Sequence, residues 1–338
     1  MSKDSHFDSL HDCLTVRFPG TPVGGQSGQA EKLHLYHAPN SICSQKVRIV
    51  LAQTGQAYES HLVNIFEGES YDPAYVRLRM SGCVAAGLPL VRQHLGSTSV
   101  SSGGCDACVV PTLVDADAAE VRVDSRRICL ELDRTDPAAP GALMPAHLRE
   151  RIEAEIAIVD NLPNYQLLAV GVGKASESGL KNGFSIGKVA RCDALLAEHA
   201  DDEALCAAYS AKRSKEQMAA DRLFDSAAMD RAHAAMAKAL RDLDARLAAS
   251  NGNYLFGDTV TMADLFWGVE LIRLEDLGLS GLWAEGRLPR VADYFQKICA
   301  LPAIAHAVVD WPGARLKRRT DLDAGMVKTL TASAHSAH

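Results

Sequence analysis

The run Ser41-Ile42-Cys43-Ser44 carries the strongest chemical signal in the sequence. It falls where a strand-like segment, Leu33 to His37, gives way to the helical pattern CSQKVRIVLAQTG. The first turn of a helix leaves backbone N–H groups unpaired and its dipole favours negative charge, so this junction suits a thiolate. Two readings fit. In one, Cys43 is itself acidified there, and Ser41 or Ser44 donates a hydrogen bond to a bound sulfur anion. In the other, Ser41 only caps the helix and Cys43 packs as a small hydrophobe.

Val110-Pro111 opens a later strand-like run, and Asp124-Ser125 follows at the start of another helix. A proline at a strand start gives up one ladder donor, and a cis bond there would leave the backbone of Val110 open to a peptide-like ligand. Asp124 and Ser125 can meet the ammonium and carboxylate of an amino acid, or simply cap their helix. Cys105-Asp106-Ala107-Cys108 has the spacing of a redox pair or half a zinc site. No second pair or histidine is spaced to complete it, so these are read as incidental thiols. His34 and His37 lack any HExxH-type spacing, and no metal site is expected. Trp267, Trp283, Trp311 and Cys129 read as packing residues.

The elements that must position these groups follow from periodicity. Lys32 to His37 alternates as a strand, and the helix from Cys43 puts Val47, Val50 and Leu51 on one face before Gly55 ends it. Tyr58 to Val63 is a second strand. Asp72 and Pro73 start a short helix to Arg79, as cap and first-turn proline. Val109 to Asp115 and Ala119 to Val123 form two adjacent strands, and Asp124-Ser125 leads a helix to Leu132. Residues 80–108 read as a loop-like insertion, far longer than the ~4–6 residues that usually join elements.

Pro137, Pro140 and Pro145 mark a linker, after which the pattern is helical. Met229, Ala232, Met236, Leu240, Leu243 and Leu247 recur at three- and four-residue spacings. Further helices fit Thr261 to Leu277 and Pro289 to Ala300. Residues 171–225 predict helix with a long polar insertion. The expected organisation is a disordered arm over 1–30, an α/β domain over 31–136, an all-helical domain over 145–315 and a polar tail over 316–338.

Composition sets the outer limits. The 338 residues are 47% hydrophobic and 23% charged, an ordinary globular balance. A formal charge of −7 with no long basic run argues against nucleic acid as a partner. No stretch reaches the ~18 uninterrupted apolar residues of a membrane span. The first thirty residues show no export-signal pattern. Nine scattered cysteines argue against a paired framework and for a reducing compartment, so the protein is expected in the cytoplasm.

Taken in this order, the Ser41/Cys43 run, Val110-Pro111 and Asp124-Ser125 resemble the thioredoxin-like N-terminal domain of the glutathione transferases. The resemblance implies that fold, with an all-helical C-terminal domain, and glutathione as the cosubstrate. It implies that the backbone of Val110 before a cis Pro111 pairs with the cysteinyl part of glutathione, and that Asp124-Ser125 holds the γ-glutamyl end. The family's usual acid is glutamate, so Asp124 is a small departure. Thr261 and Asp264 resemble the family's helix-capping motif and are structural.

The run SICSQKVR is similar to that of the branch containing glutathione-dependent reductive dehalogenases of chlorinated hydroquinones. Tyr75 to Arg79, Leu255 to Asp258 and Trp311-Pro-Gly313 extend that similarity. The branch implies a small aromatic electrophile as substrate, with Ser41 orienting the glutathione thiolate and Cys43 acting as a second nucleophile. Resemblance to the family implies a homodimer, and the hydropathy already argues against a membrane partner. Other transferase chemistry, such as an aryl-ether lyase or an isomerase of ring-cleavage products, stays open, as does an idle binding or scaffold protein.

Overall fold

The computed structural model describes residues 3–24, 32–98, 103–133, 142–171 and 185–316. At its centre lies β2 (Leu33–His37), whose Leu35 and Tyr36 point to opposite faces and are both fully buried. A strand buried on both faces must lie inside a sheet. β3 (Tyr58–Leu62) pairs parallel on one side, and β4 (Thr112–Asp115) antiparallel on the other. β5 (Glu120–Val123) edges β4, and β1 (Gly20–Val23) runs antiparallel beside β3, giving the order β1-β3-β2-β4-β5.

Helices cover both faces. α1 (Lys3–Arg17) and α3 (Pro73–Ala85) shield one, packing Leu14, Tyr75 and Leu78 with Phe18, Tyr36 and Val114. α2 (Ile42–Gln53) and α4 (Ser125–Leu132) shield the other, through Val47, Val50, Ile128 and Leu132. This is the thioredoxin-like frame expected from the sequence.

The second half is helical. It comprises α5 (Arg149–Asp160), α6 (Asn164–Gly171), α7 (Gly187–Glu198), α8 (Glu203–Arg222), α9 (Ser226–Ala249), α10 (Met262–Asp276) and α11 (Pro289–Cys299). α10 is apolar nearly all round and is buried from Met262 to Leu274, as a helix at the centre of a domain must be. Its core is continuous with that of α2 and α4. Buried polar contacts lock the two halves: Lys46 pairs with Asp160 at 2.8 Å, Arg48 donates to the Ala307 carbonyl at 3.0 Å, and Gln45 to that of Ala314 at 2.8 Å.

Three sequence expectations are corrected. The arm over 1–30 is not unstructured where it is described: Lys3–Arg17 is helical, Gly20–Val23 is a strand, and Leu14 and Phe18 are buried. These few apolar side chains find a ready-made groove against α3, which composition alone does not reveal. α3 continues past Arg79 to Ala85, because Gly82 serves contact and does not break the helix. A Cβ there would lie 2.7 Å from Val123 Cγ1 and 2.8 Å from the Val121 carbonyl oxygen. The cysteines are not all unpaired, since Cys83 at the end of α3 is disulfide-bonded to Cys105 in the insertion. Part of the polar stretch expected within 171–225 falls at 172–184 and the tail at 317–338, both outside the described residues.

Candidate active site

α2 starts at Ile42, and Ser41 is its N-cap, its side chain accepting from the Ser44 N–H at 3.4 Å. Cys43 is therefore the second helical residue, half-buried on the wall of a cavity of about 290 Å³. Its thiol does not follow the expected acidification. Loss of water around the sulfur pushes its pKa up, while the Lys46 ammonium one turn on and a hydrogen bond from Ser125 oppose the rise. Burial outweighs the helix terminus.

The other expected site residues divide into those on the cavity and those behind it. Ser41 and Val110 line it with Cys43. The Val110-Pro111 peptide is cis, as expected. Ser125 stands behind Cys43 and touches its sulfur. Asp124, at φ 70°, caps α4 by accepting from the N–H groups of Arg126 at 3.1 Å and Arg127 at 3.2 Å. Burial raises the pKa of its carboxyl. Ser44 is corrected: it is fully buried, its hydroxyl accepts from the Ala38 N–H at 3.4 Å, and it does not reach the cavity. Its position three residues after the cap turns it inward, toward the loop after β2.

The cavity is also lined by Lys188, Lys212, Lys215 and Glu216, members of a polar cluster that no sequence pattern singled out and that Asp106 anchors from outside the lining. From the insertion comes Asp106, whose Oδ2 lies 2.9 Å from both Lys212 Nζ and Lys215 Nζ. From α8 comes Glu216, 2.9 Å from Lys212 and 3.5 Å from Lys188. The Tyr165 hydroxyl donates to Glu216 at 2.6 Å and accepts from Lys188 at 3.0 Å. The paired lysines hold Asp106 and Glu216 well below the usual carboxylate range despite burial. Burial pushes His94, whose ring lies tilted with its centroid 4.1 Å from that of Tyr165, down to about 3, so it is neutral. A signal existed in the sequence: Lys212, Lys215 and Glu216 share the buried face of α8 with Leu205, Ala208 and Tyr209. Charges on a helix face that otherwise packs mark a buried polar site.

Of the remaining candidates, Cys108 alone reaches the cavity. Cys108 is a buried thiol on the cavity wall, and Cys105 is bonded to Cys83, so the CxxC pair is not bridged internally. His37 bonds Ser60 at 2.8 Å and meets Arg48 at 3.1 Å. His34 Nδ1 lies 3.0 Å from His61 Nε2, and Glu59 is 3.5 Å from each, a contact between strands that spacing along the chain cannot show. Asp264 caps α10, accepting from the N–H of Thr261 at 2.8 Å, the Leu255 N–H at 3.0 Å and the Tyr294 hydroxyl at 2.8 Å. Trp267 is buried and donates to Glu155 at 2.9 Å.

A thioredoxin-like sheet domain, a helical domain behind it and a cavity at the start of α2 define the class of thiol-using transferases. Residues 40–135 match the family "Glutathione S-transferase, N-terminal domain", and residues 226–297 match "Glutathione S-transferase, C-terminal domain". The chain belongs to the glutathione S-transferase family. It is 37% identical over 293 residues to the 2,5-dichlorohydroquinone reductive dechlorinase of Sphingobium indicum, covering 83% of this chain and 84% of that one. It is 26% identical to the tetrachloro-p-hydroquinone reductive dehalogenase of Sphingobium chlorophenolicum, covering 83% and 98%. In fold it is similar to the β-etherase LigF of Sphingobium sp. strain SYK-6, with a TM-score of 0.54 at 17% identity, over 82% of this chain and 98% of that one. Glutathione is the thiol of this family and the cosubstrate of this chain.

Proposed function

We propose that the protein is a glutathione-dependent reductive dehalogenase that removes chloride from a chlorinated hydroquinone. The observation that carries this reading is a cysteine thiol on the cavity wall, two residues after the cap serine, in a chain 37% identical to a dichlorohydroquinone reductive dechlorinase. A transferase needs one thiol, its cosubstrate's. A second thiol facing the same cavity permits a reduction.

In the first half, the glutathione thiolate attacks the chlorinated carbon of the ring's keto tautomer: a C–S bond forms and chloride leaves. Ser41 orients that thiolate, Val110 pairs through its backbone with the cysteinyl portion, and Asp124-Ser125 with Pro111 shape the γ-glutamyl end. In the second half, the Cys43 thiolate attacks the thioether sulfur. An S–S bond forms, the C–S bond breaks, and its electron pair goes to the ring carbon, which takes a proton and restores the hydroquinone. A second glutathione thiolate then displaces Cys43 from the mixed disulfide, giving oxidised glutathione. Two thiols are oxidised for each C–Cl bond converted to C–H. The burial that raises the Cys43 thiol makes this second half depend on deprotonating it, so it gains with rising pH up to that raised pKa.

The same reading places the enzyme in the cytoplasm as a homodimer, with a small aromatic electrophile as its only other partner. The charge of −7 argues against a nucleic-acid partner, and among the described residues no helix is long and apolar enough to cross a membrane. The test is to supply 2,5-dichlorohydroquinone and glutathione and to follow chloride, oxidised glutathione and products. The expected result is one oxidised glutathione per chloride, and in Cys43→Ser a glutathionyl-hydroquinone that accumulates in place of the reduced product. A lyase or isomerase would release no oxidised glutathione, and an unchanged product in the variant would remove Cys43 from the reaction.

A further inference from the structure

We propose that the Lys188–Tyr165–Glu216 wall of the cavity is a phenolate site, receiving a ring hydroxyl of the substrate as its anion against the Lys188 ammonium. The proposal rests on the reading above, in that it takes the cavity's guest to be an aromatic diol. It assigns the part of the cavity that glutathione and Cys43 do not account for.

The geometry carries it. Three lysines of the wall differ in what they face. The side chains of Lys212 and Lys215 are only 5% and 7% exposed and lie on the Asp106 carboxylate. The Lys188 side chain is 31% exposed, lines the cavity, and is steered by Tyr165 Oη at 3.0 Å and Glu216 at 3.5 Å. The cavity is lined by three ammonium groups, the Arg273 guanidinium and one carboxylate, Glu216, while His94 is neutral. The rest of the lining is largely apolar, with Ile42, Ile65, Phe66, Val110 and Leu168. Cations in such a setting favour an anion at the end of a flat apolar body, which describes a phenolate.

The proton has a destination. When the hydroxyl O–H bond breaks, its electron pair stays on the ring oxygen and its proton moves to Lys188 Nζ, leaving an ammonium–phenolate pair. Burial, helped by the charges of Lys212 and Lys215 and opposed by Glu216, pushes Lys188 down to about 8. A fraction on the order of a tenth is therefore free amine at neutral pH and able to take the proton. An electron-rich phenolate oxygen is also the first step toward the keto tautomer that glutathione attacks.

The test uses 4-nitrophenol, whose anion has its own visible absorption band, bound to the full-length protein. The expected result is an apparent pKa for the bound phenol at least about one unit below its value in solution, a tenfold preference for the anion. Lys188→Met and Lys188→Gln should abolish the shift, and Lys188→Arg, which keeps the cation, should retain it. Absent binding, an unshifted titration, or a shift that survives in whichever neutral variant folds by circular dichroism would overturn the proposal. Chloride release by the wild-type enzyme is scored separately: anion capture without dechlorination would sink the functional reading, and dechlorination without anion capture would sink this site.

Discussion

At the scale of single residues, the site sets two forces on one sulfur. The start of a helix and the Lys46 ammonium favour the Cys43 thiolate, while removal of water favours the thiol, and burial prevails. Ser125 is the group that softens this outcome, because its hydroxyl donates to the sulfur. Ser125→Ala should therefore raise the Cys43 pKa further, by up to about one unit for the loss of one charge-assisted hydrogen bond. Alkylation of Cys43 by iodoacetamide, followed across pH by peptide mass mapping, should show its midpoint move upward. An unmoved midpoint would mean the contact contributes nothing to the thiolate. That Ser41, Cys43 and Val110 meet on one cavity was legible in the sequence because their placement is local, set by a strand end, a helix start and a proline. Ser44 was misread on the same local logic, since which way the residue turns depends on the loop it packs against. Lys188 was illegible because its partners come from two other helices.

At the scale of elements, α10 shows how a buried helix tolerates charge. Its N-terminus is closed by the Thr261–Asp264 box, which the sequence announced. In its interior stands Glu270, fully buried, accepting from Asn164 at 3.0 Å. Burial raises its carboxyl to about 7, against the pull of Asn164, Lys46 and Arg273. The sign follows: the folded state binds this proton more tightly than the unfolded chain. The stability contributed is present in acid and is lost as pH rises from about 4.5 to about 7. The span corresponds to at most about 3 kcal/mol. Glu270→Gln, which keeps the shape and the acceptor, should gain on the wild type by up to that amount between pH 5 and pH 8. Urea unfolding at the two pH values measures it, and parallel curves would show that Glu270 titrates normally. Asn164 lines the active cavity, so this buried carboxyl also steadies one wall of the site. α3 teaches the converse lesson about glycine: the missing Cβ of Gly82 lets the helix press against β5.

At the scale of the whole molecule, the N-terminal segment works as a clasp. α1 lies with α3 over one face of the sheet, and β1 adds a strand to the β3 edge that would otherwise stand open. Phe18 is the link between them, 3% exposed, with its ring 6.3 Å from those of Tyr36 and Tyr75. Its carbonyl faces His61 Nδ1 at 2.6 Å, and Arg17 pairs with Asp72, the cap of α3. None of this was visible in the sequence, because a polar helix with two anchoring side chains has the composition of a disordered arm. The central frame was visible, since Leu35, Val47, Val50 and Ile128 repeat at the periods of their own elements. Phe18→Ala should cost about 3–5 kcal/mol, the usual range for emptying a buried aromatic site, and should leave the ring of Tyr36 under a void. Because α1 lies across the sheet from α2 and β1 sits at the sheet's edge, the kcat of chloride release at room temperature should hold while the unfolding midpoint in urea falls. A variant that lost activity without losing stability would show that this clasp reaches the catalytic cavity through the sheet.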